Sequence, residues 1–231
     1  MCGRYIIRQL EMAERHWRVY GPPEWVITSY NVAPTQNVPV VTARDGERRG
    51  VLMRWGLIPF FAKGVAGPYS TINARLETLD KAASYRTPWK RGQRCIIAAA
   101  GFYEWHLEGD GRKQPYFIRL NDQEIFGFAG LWDRSITEDG STIESCTIIT
   151  MPGNELMSHI HNTGGNPHRM PAILRLEDHE TWLGGSLDAA RALLAPYPAD
   201  LMVAWPVSTR VNSPKNNDET LIEPLPAQRA S

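Results

Sequence analysis

Four apolar or alternating runs, at 95–105, 114–120, 124–132 and 141–150, constrain this chain more than any other feature. Each is of strand length and rich in isoleucine or aromatic residues, and Gly109-Asp110-Gly111 and Asn121-Asp122 punctuate them with turn chemistry. Consecutive strands joined by short turns predict an antiparallel meander. Two earlier strands are expected at 38–43 and 50–55 around Asp45-Gly46, and two later ones at 170–174 and 202–207. Helical spacing is confined to short pieces. These are 9–20, with Leu10, Ala13, Trp17 and Tyr20 ahead of Gly21-Pro22-Pro23; 79–89; 154–159 behind Asn154 as N-cap; and 176–195, broken at Gly184-Gly185 with Ser186 as a second cap. Residues 25–29 read as extended, and 30–35 as a turn, because the residue before Pro34 avoids the α region. There is no internal repeat and no low-complexity linker. The reading is one α+β domain over 1–231, with a polar tail from about 212.

Length and charge narrow the function classes. The 231 residues suffice for a sizeable core. No stretch approaches the ~18 consecutive apolar residues of a membrane span, and Arg4, Arg8 and Glu11 interrupt any signal-peptide core. A cytoplasmic protein is the expectation. With 25 basic and 25 acidic residues the net charge is +0, which argues against non-specific coating of duplex DNA and leaves room for a local arginine groove. The three cysteines, Cys2, Cys95 and Cys146, are odd in number and not closely paired, against both a disulfide framework and a structural zinc site. Cys95 and Cys146 sit in apolar strands and read as small buried hydrophobes.

Cys2 is different. Methionine aminopeptidases remove Met1 when the next side chain is small, leaving an α-amine and a thiol on adjacent carbons. Ordinary values near ~8 for the amine and ~8.5 for the thiol leave both partly deprotonated at neutral pH. Such a 1,2-aminothiol condenses with an aldehyde, first as an imine and then as a five-membered thiazolidine. The bland alternative is a cysteine at a frayed terminus.

Other candidates have equally plain alternatives. Strand alternation puts Glu104 on one face with Phe102, and Tyr103 with Trp105 on the other. A carboxyl beside Phe102 is desolvated, its pKa rises, and it suits a general acid; otherwise it is a rim-exposed glutamate. His159, His161 and His168 crowd one segment without a carboxylate or cysteine to complete a metal set, so one proton-shuttling histidine is preferred to a metal. Asn73 and Arg75 share a parity and suit a sugar hydroxyl and a phosphate, or else cap a turn. The 56–69 loop, with Phe60, Phe61 and Tyr69, offers stacking surface, although aromatics more often pack cores.

Together these pieces resemble a known family. Met1-Cys2-Gly3-Arg4-Tyr5, Tyr30 to Pro34, Trp55 to Pro59, Ile72 to Glu77, Gly101 to Trp105, Gln114-Pro115-Tyr116 and Arg169-Met170-Pro171 occur in that order. The chain is similar to the SRAP proteins, the SOS-response-associated peptidase-like family, from Met1 to about Glu223. That resemblance implies a mixed, predominantly antiparallel barrel-like core flanked by short helices, and a channel for single-stranded DNA. It implies attack by Cys2 on the ring-opened aldehyde of an abasic site to give a thiazolidine crosslink that shields the lesion, after loss of Met1 in part by autoproteolysis. Asn73 then orients the opened sugar, Glu104 assists proton transfer, and His161 is the active histidine, with His168 beside Arg169-Met170-Pro171 as the alternative. Arg4, Arg75 and Arg169 match phosphate-contacting positions, with Arg86 and Trp55 as further DNA-binding candidates. No cofactor or metal, a monomer, and association with the bacterial nucleoid when DNA-bound complete the expectation. The competing function is an N-terminal-nucleophile peptidase acting on other proteins.

Overall fold

Five strands close on themselves. The computed structural model describes residues 2–8, 11, 17–19, 21–44 and 46–226. In chain order its strands are β1 (Arg4–Ile7), β2 (Ser29–Val32), β3 (Asn37–Arg44), β4 (Glu47–Trp55), β5 (Asn73–Arg75), β6 (Arg94–Ala99), β7 (Gly101–Leu107), β8 (Lys113–Leu120), β9 (Phe126–Ile136), β10 (Thr142–Pro152), β11 (Arg169–Pro171), β12 (Ile173–Leu174) and β13 (Met202–Pro206). The helices are α1 (Ala83–Lys90), α2 (Glu155–Ile160), α3 (His179–Gly184) and α4 (Leu187–Ala192). Strand β6 pairs with β3 and β9, β3 with β4, β9 with β10, and β4 returns to β10. Only the β4–β10 step of that ring is parallel. Closure removes the edges that an open sheet would expose.

The barrel is narrow, and side chains fill it. Ile97, Phe128 and Ile148 are fully buried. Gly130 is required there: a Cβ would sit 2.8 Å from the Thr147 carbonyl and 2.9 Å from Cys95 Sγ.

A second, wholly antiparallel sheet runs β13-β8-β7-β1-β2. The run at 95–105, expected as one strand, is two: it breaks at Ala100, whose N–H donates to the Ile6 carbonyl, and leaves the barrel for the second sheet. The expected meander is also interrupted, because β8 pairs with β7 and β13 while β9 belongs to the barrel. Alternation tells which face of a strand is apolar; it does not tell which strand lies alongside.

One face of the second sheet packs on the barrel through Phe102 against Phe128 and through Tyr5, edge-on to Trp55 and Phe128. Its other face buries Ile6, Tyr103 and Phe117 beneath Val207, Val211 and Leu221. The polar stretch beyond 212 is therefore laid on the sheet, with Leu221 as its apolar anchor. Full burial of such a side chain contributes about 1.5–3 kcal/mol. Asn31 pins it by donating to the Val211, Ser213 and Asn216 carbonyls. That places Asn31 on strand β2, where a turn was expected. The helix expected at 9–20 lies mostly outside the described residues, as does Asp45 of the expected hairpin. No helix among the described residues is long and apolar enough to cross a membrane.

Candidate active site

Where β1 begins, its register with β7 sets Arg4 opposite Tyr103 and Tyr5 opposite Phe102. The residues just ahead of β1 therefore run towards Glu104. Cys2 is 1% exposed and Glu104 2%. Burial pushes the Cys2 thiol well above its usual range, and the nearby Glu104 charge pushes the same way. The ordinary value taken for the thiol is that of an unburied group, and a thiolate loses its hydration on burial. Burial also raises the Glu104 carboxyl above its ordinary value. Glu104 thus lies on the desolvated face that strand alternation predicts, not on a rim.

Asn73 reaches the same point from β5, which runs parallel to β10 with Asn73 beside Ile148. Its Nδ2 donates to the Cys2 carbonyl at 2.9 Å. The Asn73 carbonyl accepts from Tyr85 Oη at 3.1 Å, tying it to α1. Its Oδ1 is buried without a hydrogen-bond partner among the described residues, an acceptor that a ligand hydroxyl would satisfy.

His161 closes α2. Asn154 caps that helix, Oδ1 accepting from Met157 N–H at 2.9 Å, and His161 N–H donates to the Met157 carbonyl. Arg169 N–H donates to His161 Nδ1 at 3.1 Å. An accepting Nδ1 means a neutral ring with its proton on Nε2. Burial, helped by neighbouring positive charge, lowers its pKa to about 4, in keeping with that state. His161 and Glu104 line one cleft of about 440 Å³ together with Trp105, Lys113, Thr163, Gly164 and Asn212. A larger cavity of about 680 Å³ beyond Lys113 has neither a cysteine nor a buried acid among its described lining residues. His168 is exposed instead, hydrogen-bonded through Nδ1 to the Ser158 carbonyl.

The basic candidates divide. Arg75 is exposed, donating to Asn166 Oδ1 at 3.2 Å, and Arg86 is exposed on α1. Arg4 donates to Asn31 Oδ1 and to the Val211 and Asn212 carbonyls. Arg169 is buried, gripping both Glu77 carboxylate oxygens at 2.8 and 3.0 Å and the Thr150 carbonyl. Its fork lowers the Glu77 carboxyl below its ordinary value. Trp55 is fully buried, its indole N–H donating to the Ile72 carbonyl. It has neither a face nor a donor to offer a strand, so the family position is a core residue here. The 56–69 loop splits, burying Leu57 and Ile58 while exposing Phe60, Phe61 and Tyr69.

Sequence reasoning missed Tyr85, Lys113 and Asn212. Tyr85 carries no motif signal, and Asn212 lay in what looked like a tail. Among the described residues, no group of three or more histidine, cysteine or acidic side chains could hold a metal.

Residues 1–214 match the family described as SOS response associated peptidase (SRAP). The abasic site processing protein YoqW of Bacillus subtilis is 41% identical over 96% of this chain and 99% of its own length. The abasic site processing protein HMCES of Gallus gallus is 33% identical over 88% of this chain and 69% of its own. A crystal structure of a protein from Bacteroides thetaiotaomicron superposes with a TM-score of 0.84 at 30% identity, covering 97% of this chain and all (100%) of that one.

Proposed function

The chain belongs to the SRAP family, and from that premise we propose that it captures abasic sites in single-stranded DNA through Cys2, once Met1 is removed. The observation that carries this reading is the carboxamide of Asn73 on the Cys2 carbonyl, which fixes the terminal residue beside Glu104. An abasic sugar in its open form presents an aldehyde. The freed α-amine adds to it, and loss of one water leaves an imine. The Cys2 S–H then adds across the C=N bond, sulfur to carbon and hydrogen to nitrogen, closing a thiazolidine. The sum is aldehyde plus aminothiol, less one water.

Each neighbour has work in that sequence. A carboxyl with a raised pKa delivers a proton to the sugar oxygen on ring opening and to the departing water. A neutral His161 exchanges a proton at Nε2. The free Asn73 Oδ1 accepts from a sugar hydroxyl. The raised thiol pKa favours an order in which the amine reacts first and the thiol arrives protonated. Arg75 and Arg86 offer charge to flanking phosphates, and Arg169 acts from behind by holding His161.

The test is incubation of the Met1-free protein with single-stranded DNA carrying one abasic site. A denaturant-resistant adduct supports the reading, and an equal rate from Cys2→Ala ends it. Cleavage of another polypeptide, abolished by Glu104→Gln and without any DNA adduct, would favour a peptidase.

A further inference from the structure

His161 and Glu104 come from separate parts of the chain, and a clasp holds those parts together. Asn162 follows His161 directly and faces the main chain of Leu107, three residues beyond Glu104 on β7. Its Oδ1 accepts from Leu107 N–H at 2.7 Å, and its Nδ2 donates to the Leu107 carbonyl at 3.0 Å. One side chain thus copies both hydrogen bonds of an antiparallel bridge. The pairing fixes the amide orientation, because a turned carboxamide would set donor on donor and acceptor on acceptor. A second link lies beside it: His106 Nδ1 hydrogen-bonds to the His159 carbonyl at 3.0 Å, and the two rings lie 4.8 Å apart.

The clasp is where the chain is least determined by its helix. His161 has left helical geometry, with φ −85° and ψ 66°. Its ring direction therefore depends on Arg169 N–H at Nδ1 and on what holds the next residues. Beyond Asn162 the chain forms a loop closed at its neck by His168 N–H on the His161 carbonyl. That loop contributes Thr163 and Gly164 to the cleft wall.

We propose that Asn162 is a positioning residue for the proton-transfer pair, its carboxamide setting His161 against Glu104 for aldehyde capture. The inference rests on the functional reading above. Proton transfer needs heavy atoms within hydrogen-bond reach, and small displacements of such groups cost rate steeply. The bonds themselves lie at the surface, so their loss bears on geometry more than on folding.

The test is single-turnover capture of abasic single-stranded DNA by the full chain over a range of DNA concentrations, unchanged protein against Asn162→Ala. The limiting rate is expected to fall between about tenfold and about a hundredfold, with the half-saturating concentration within about twofold and the melting temperature unchanged. Asn162→Asp, which keeps the acceptor but turns an oxygen on the Leu107 carbonyl, is expected to lose rate likewise and carries the test if the alanine variant fails to fold. An unchanged limiting rate overturns the inference, as does a loss explained by weaker DNA binding or a lower melting temperature. No capture by the unchanged protein overturns the functional reading, and this inference with it.

Discussion

At the scale of single residues, burial decides which form each group takes. Burial raises both the Cys2 thiol and the Glu104 carboxyl and lowers His161, so the site favours neutral groups. Cys2→Ser should separate the two halves of the aminothiol. With the amine kept and the thiol gone, an adduct should survive denaturation only after borohydride reduction of the imine; a stable adduct without reductant would show that sulfur is not needed. Glu104→Gln removes the transferable proton while keeping shape. Its capture rate should fall about a hundredfold or more, with the melting temperature held. In the unchanged protein, capture should decline as pH rises through the elevated Glu104 pKa, and the glutamine variant should lose that limb of the profile.

Elements bring those residues together, and here the sequence was uneven. The strand runs, the Asn154 cap and the parity of Phe102 and Glu104 were readable because alternation and capping are local chemistry. The switch of sheets at Ala100 was not, since an alanine-rich strand reads as continuous whichever sheet receives it. Nor was the clasp of Asn162 on Leu107, which joins residues far apart in sequence. Trp55 shows the limit of matching by motif: its place was legible, and only the closed barrel reveals that it is inside. Two substitutions test elements. Tyr85→Phe deletes the hydrogen bond from α1 to the Asn73 carbonyl and should cost about 1 kcal/mol in denaturant unfolding, with capture slowed as Asn73 loosens. Asn154→Ala should cost a similar amount, about 1 kcal/mol, and slow capture because α2 delivers His161.

Across the whole molecule, two buried histidines contribute to the response to acid. His161 and His179, the latter opening α3 and edge-on to Trp17, both have pKa values lowered to about 4, burial being the main cause. The unfolded chain protonates them from about pH 6.5. Between about pH 4 and 6.5 these two groups therefore bind more protons in the unfolded chain than in the folded one, so their contribution to stability is greatest above that window and falls as pH drops through it. His179→Gln should flatten the slope of unfolding free energy against pH by up to about 1.4 kcal/mol per pH unit, one proton's worth; an unchanged slope in urea titrations would contradict that account. The central claim concerns the N-terminus. It is tested most directly by the intact mass of the protein after exposure to abasic single-stranded DNA, followed by mapping of the modified peptide. The account predicts the Met1-free chain plus the oligonucleotide less one water, attached at Cys2, and no adduct when Met1 is retained. An adduct mapped to any other residue, or formed equally well with Met1 in place, would contradict it.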